Sequence, residues 1–149
     1  MVLPSPNGSA IAAAAGEATV IAGALRNASA VGRWLADRSY GTVEQPVLVI
    51  ASGERWPDGS LRPALEDLLG AGAVIAALRR SGRSQLSPEA SMAAAVFDGV
   101  TDVDVTVAAC ASGQELITSG YADDVAIATE LDACDVVPVL VDGAFVAAD

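Results

Sequence analysis

Apolar residues fall into two kinds of run along this chain. Short unbroken runs, rich in β-branched residues, occur at Ala18-Thr-Val-Ile-Ala22, Pro46-Val-Leu-Val-Ile-Ala51 and Val136-Val-Pro-Val-Leu-Val141. Runs of this kind, bounded by turn residues, predict strands. Met1-Val-Leu-Pro4 reads as the tail of another. Elsewhere apolar residues recur at helical spacing. From Ala28 to about Arg38, Val31, Trp34 and Leu35 share a face, and from Ala64 to Arg80 so do Leu65, Leu68, Leu69, Val74 and Leu78. Gly70 and Gly72 are costly inside that second helix, which predicts a close backbone approach there.

Between these runs lie start and stop signals. Ser5-Pro-Asn-Gly-Ser9 is a turn before an alanine-rich helix over Ala10 to Ala15. Ser87-Pro88-Glu89 supplies an N-cap, a first-turn proline and an early acid for a helix carrying Met92, Val96 and Phe97. Further helices are predicted from about Asp104 to Ala111, Ser112 to Thr118 and Asp123 to Leu131. Asp142-Gly143 joins Val136 to Val141 and Ala144 to Ala147 as a terminal β-hairpin. The order is β-α-β-α-β-α, then helices, then the hairpin. Alternation with short loops predicts an α/β fold, a three-layer α/β/α arrangement with a largely parallel sheet. Its second half is helical, and residues 1–149 form one domain.

Composition changes this picture little. Hydrophobic residues make up 52% and aromatic ones 4%, so Ala and Val dominate the core. Charge changes it more. The net charge is -11, carried against eight basic residues that are all Arg, with no His. Nucleic acid is excluded as a partner, because its phosphates would be repelled, and so is an anionic membrane surface. Every Arg lies between Arg26 and Arg83, so anion binding falls to the first half. Lacking His, the chain has no Cys–His or Ser–His nucleophile pair, and zinc is disfavoured. Cys110 and Cys134 have no metal-like spacing, which points to a reduced, cytoplasmic setting. Neither a secretory signal nor a bilayer-length apolar run is present. The sequence leaves the oligomeric state, including a homo-oligomer, open.

Candidate chemistry concentrates in three loops that precede helices: Ser5 to Ser9, Arg26-Asn27, and Ser52 to Arg62. A parallel sheet would place all three at the carboxyl edge of its strands, where ligands usually bind. Helix N-termini there offer free N–H groups to an oxyanion. Ser5, Asn7, Gly8, Ser9, Arg26, Asn27, Arg55 and Arg62 are the candidate substrate-binding residues. Ser, Asn and Gly also serve simply as caps and turns. Three such loops together, with arginines, favour a binding site. Glu54, Asp58 and Asp67 are candidate ligands for Mg²⁺, which needs few protein carboxylates. Glu66 and Asp67 equally suit the positive end of a helix dipole. Asp102-Val-Asp104-Val-Thr106 matches an aspartyl-phosphate pattern, but no Arg or Lys follows Arg83, and Asp102 or Asp104 reads better as a helix cap.

Several of these blocks resemble the 2-phosphosulpholactate phosphatase family. They are Ser5-Pro-Asn-Gly-Ser9, Gly23-Ala-Leu-Arg-Asn-Ala28, Ser52-Gly-Glu-Arg55 with Ala64-Leu-Glu-Asp-Leu-Leu-Gly-Ala-Gly-Ala73, and Val136-Val-Pro-Val-Leu140. The resemblance implies an α/β fold and Mg²⁺-dependent hydrolysis of a phosphate ester on a small sulphonated or carboxylated acid. In some organisms that step belongs to coenzyme M biosynthesis. It also implies that Asn7, Asn27, Glu54, Glu66 and Asp67 occupy motif positions, without saying which of them is catalytic. Glu66, placed to orient or deprotonate a water, and Asn7 are the candidate catalytic residues. The family's usual N-terminal segment has no counterpart here, and Gln114 stands where relatives often carry Arg. The expected partner is a small anionic phosphorylated substrate. The alternatives are a non-catalytic domain binding an anionic metabolite, or a truncated inactive paralogue.

Overall fold

A computed structural model describes residues 7–148 of the chain. The predicted strand Met1-Pro4 and the candidate Ser5 lie outside the described residues. Helix α1 spans Gly8–Ala14, and a 3-10 turn, Leu25–Asn27, leads directly into α2, Ala28–Asp37. A short hairpin of β1 (Glu54–Arg55) and β2 (Leu61–Arg62) precedes the long α3, Leu65–Arg80. Four helices follow: α4 (Pro88–Gly99), α5 (Val103–Ala109), α6 (Ala111–Thr118) and α7 (Ala122–Thr129). The hairpin of β3 (Pro138–Val141) and β4 (Ala144–Ala147) closes the order.

The helices fall close to where the sequence puts them, because their caps are local. Ser87 Oγ accepts the Ala90 N–H at 3.2 Å, and Asp102 accepts the Val105 N–H at 3.0 Å. Asp102 is therefore a helix cap. Helix α3 is the centre of the fold. Leu69, Ala73, Val74, Ile75, Ala76 and Leu78 are all buried, with α2 on one flank and α4 on the other. Of the two glycines inside it, Gly72 has the role expected. A Cβ there would lie 2.4 Å from the Ala93 carbonyl oxygen on α4, whereas one at Gly70 would meet nothing nearer than 4.0 Å. Small residues let α4 pack almost backbone to backbone, and this is how an alanine-rich core reaches normal density.

The parallel sheet is not present among the described residues, which contain two antiparallel two-stranded ladders. The second predicted strand does find a partner. Ile21 bridges Val139 in antiparallel sense, with the Ala22 N–H donating to the Pro138 carbonyl at 3.0 Å and the Leu140 N–H to Val20 at 2.9 Å. The third predicted strand does not. Residues 46–51 are not part of any ladder. Val47 and Val49 pack against the helical core, while Leu48 is 83% and Ile50 53% exposed. The apolar run records that both faces favour burial, but β-pairing is non-local and the run cannot specify its neighbour. Among the described residues one face is covered by helices and nothing covers the other.

Candidate active site

The candidate site lies at the N-terminal end of α3, where the β1–β2 hairpin feeds into the helix. In that hairpin Glu54 stands opposite Arg62 and Arg55 opposite Leu61. Gly53 makes the geometry work. Its φ is +68°, and a Cβ would sit 2.8 Å from Leu61 Cδ1 and 3.1 Å from the Arg62 carbonyl oxygen. Only glycine fits this left-handed, crowded position without strain. The bend aims the Gly53 N–H at Asp67 Oδ2, 2.7 Å away in the first turn of α3.

Three carboxylates gather here. Burial raises the Asp67 carboxyl above the ordinary carboxylate range, against the opposing Gly53 hydrogen bond, and the negative charges of Glu66 and Glu54 push it further up. Asn7 Nδ2 donates to Glu54 Oε2 at 3.0 Å, bringing in the residue that precedes α1. Glu66 Oε2 accepts the Cys110 thiol at 3.4 Å. Burial raises the pKa of that thiol, so it stays protonated and can donate, with help from the neighbouring Glu66 charge. Cys110 also caps α6, accepting the Gly113 N–H at 3.5 Å.

A cavity of about 400 Å³ opens beside this cluster, with Trp56, Arg62, Leu65, Glu66, Cys110 and Ser112 among its lining residues. The Arg62 side chain is 17% exposed. Its two terminal nitrogens donate to both carboxylate oxygens of Glu115, at 2.6 and 2.9 Å, and the guanidinium stands 5.4 Å from the centre of the Trp56 ring. The bidentate bond holds Glu115 below its ordinary pKa.

Asn7, Glu54, Arg62, Glu66 and Asp67 thus come together. The other described candidates have the following places in the fold. Asp58 sits in the turn of the β1–β2 hairpin and accepts the Ser60 N–H at 2.9 Å and hydroxyl at 2.6 Å, bonds that lower its pKa. Arg55 donates to the Gly59 carbonyl at 3.0 Å in the same turn. Gly8 and Ser9 form the first turn of α1. Arg26 pairs with Glu130 and donates to the Ile127 carbonyl at 2.6 Å, binding the 3-10 turn to α7. Asn27 is buried, and its amide is committed to backbone. It accepts the Ala24 N–H at 2.8 Å and donates to the carbonyls of Ala22 at 3.3 Å and Val136 at 3.1 Å.

Trp56, Cys110 and Glu115 escape sequence reasoning. Cys110 meets Glu66 across 44 positions and Glu115 meets Arg62 across 53, separations that no periodicity encodes. Among the described residues no three Cys, Asp or Glu side chains form a ready metal cage. No helix among them is long and apolar enough to cross a membrane. No curated protein matches the chain. The sequence model of the family described as 2-phosphosulpholactate phosphatase matches residues 1–143, nearly all of the 149, and the chain belongs to that family.

Proposed function

We propose that the protein hydrolyses the phosphate ester of a small sulphonated or carboxylated acid of the 2-phosphosulpholactate type, at the N-terminal end of α3. The observation that carries this reading is the meeting of Glu54, Glu66 and Asp67 beside a cavity that also holds Arg62. Such a cavity matches a substrate with an anionic end and a phosphoryl end in need of charge neutralisation.

The donor set fits Mg²⁺. Asp67 is pushed toward protonation partly by two neighbouring carboxylates, repulsion that a dication relieves. Mg²⁺ needs only one or two protein carboxylates and completes its shell with water and phosphate oxygens, so the lack of a three-ligand cage among the described residues is no obstacle. Glu54 and Asp67 would hold it, with Asp58 engaged by Ser60 instead. Bound there, the ion supplies charge stabilisation to the phosphoryl oxygens.

The chain's own residues do the rest. Glu66, lining the cavity, takes the proton of the attacking water on its carboxylate as the O–P bond forms. Cys110 positions Glu66 by donating to one of its oxygens and leaves the other for water. Asn7 orients Glu54 through its amide. The P–O bond to the substrate carbon breaks, and the leaving oxygen is protonated from solvent.

The test is phosphate release from 2-phosphosulpholactate with Mg²⁺. Glu66→Gln should lower kcat by about 10²-fold or more, the scale of a general base. Glu54→Gln should raise the Mg²⁺ concentration needed for half-maximal rate. Full rates in both variants, at unchanged Mg²⁺ dependence, would remove the two residues from the mechanism. Ligand-induced stabilisation without phosphate release would assign the site to binding alone.

A further inference from the structure

Among the described residues the cavity is lined by one cation, Arg62, and that cation is already engaged by a carboxylate of the protein. Arg62 presents its guanidinium edge bidentately to Glu115, which comes from the half of the chain carrying twelve acids and no base. The two partners are unequally placed. The Arg62 side chain is 17% exposed and stands against the Trp56 ring, whereas the Glu115 side chain is 59% exposed on α6. One partner is fixed in the cavity wall and the other can swing into water. Around them the lining is largely apolar, with Trp56, Pro63, Ala64, Leu65 and Ala111. The remaining charge in the lining is Glu66, at the α3 end.

We infer that Arg62 binds the non-phosphorylated acid group of the substrate, its carboxylate or sulphonate, and that Glu115 is an internal stand-in which the substrate displaces. Resting on the phosphatase reading, this assigns the two ends of one substrate. The phosphoryl group lies toward Glu54, Glu66 and Asp67, and the acid group lies against Arg62 and the Trp56 face. A planar fork of N–H donors suits carboxylate and sulphonate alike, and a guanidinium is the donor that can bind either through two oxygens at once. Glu115 sets the affinity, because each bound substrate must break the Arg62–Glu115 bonds before making its own. It also keeps Arg62, the one cation among the described lining residues, paired in the free protein. Small neutral phosphate esters gain nothing from displacing it, so the pair discriminates by substrate charge.

The experiment compares wild type, Glu115→Gln and Arg62→Gln on 2-phosphosulpholactate and on glycerol phosphate, a neutral-tailed ester. In parallel, calorimetry measures binding of sulpholactate, which has the acid groups and no phosphate. Glu115→Gln should lower the KM for 2-phosphosulpholactate relative to glycerol phosphate by about threefold, the scale of one partly exposed charge pair. It should tighten sulpholactate to a similar degree. Arg62→Gln should shift both in the opposite sense by about tenfold or more, the effect of losing a charge-assisted bidentate contact. An unchanged KM ratio and unchanged sulpholactate affinity in Glu115→Gln would overturn the inference while leaving the phosphatase reading intact. Tighter sulpholactate with no ester hydrolysed by any of the three proteins would keep the Arg62 assignment and remove the phosphatase reading.

Discussion

Two loops of this protein look alike in sequence and do different work. Each precedes a helix and carries an arginine whose partner is a glutamate far along the chain. At the start of α2, Arg26 joins Glu130 and the Ile127 carbonyl, and Asn27 gives its whole amide to the backbone of Ala22, Ala24 and Val136. At the start of α3, Arg62 joins Glu115 at the wall of a cavity, and three carboxylates crowd together with a single backbone N–H, that of Gly53, bonded to Asp67. The first loop satisfies its polar groups with main chain and so fastens the 3-10 turn to α7 and to the segment before β3. The second leaves like charges side by side, an arrangement costly to the fold and useful to a ligand. A polar loop becomes a site when its groups are not used up by backbone.

The comparison breaks first at Asn27. Asn27→Ala leaves one buried N–H and two carbonyls without their partner, and each unsatisfied group costs about 1–3 kcal/mol. We expect a loss of roughly 2–4 kcal/mol in urea unfolding, with kcat of whatever protein remains folded close to wild type. A specific loss of turnover at unchanged stability would move Asn27 from scaffold to site. Gly53→Ala should show the reverse balance. The added Cβ meets Leu61 and the Arg62 carbonyl at a positive φ, a strain of about 1–2 kcal/mol, smaller than at Asn27. The hairpin must shift to accommodate it, carrying Glu54 and Arg62 out of register with α3. Phosphate release should therefore fall further than stability does.

This difference also explains how much could be read from the chain. Helices α2 to α7 were legible because capping and amphipathic spacing are local, as at Ser87 and Asp102. The gathering of five candidate residues, Asn7, Glu54, Arg62, Glu66 and Asp67, was legible because they cluster around one strand-to-helix loop or stand at the start of α1. The largely parallel sheet does not appear among the described residues. Residues 46–51 have the composition of a doubly covered strand, yet Leu48 and Ile50 face outward and no ladder forms among the described residues. What Arg26 and Asn27 bond to was not legible, for a related reason. Their partners lie about a hundred positions away, at Glu130 and Val136, and pairing over such distances leaves no trace in periodicity.

The finest distinction between the loops is electrostatic and rests on Asp67. Burial and two neighbouring carboxylates raise its folded pKa above the ordinary value of 3.8. The folded protein therefore holds this proton more tightly than the unfolded chain. Below the unfolded value both states carry the proton and Asp67 costs nothing. As pH rises through the raised folded value, ionisation in the crowded site draws down stability, and the deficit is complete once pH lies above that value. Asp67→Asn removes the charge while its Oδ1 still accepts the Gly53 N–H. The variant should melt above wild type at pH 7, and the gap should close as pH falls toward 3.8. On the proposed Mg²⁺ site the ion should reverse the order, because binding through Asp67 would stabilise wild type more than the amide variant. Thermal melts at both pH values, with and without Mg²⁺, read all four terms. An equal gap at the two pH values would mean that Asp67 carries no electrostatic burden, and the α3 loop would then resemble the α2 loop after all.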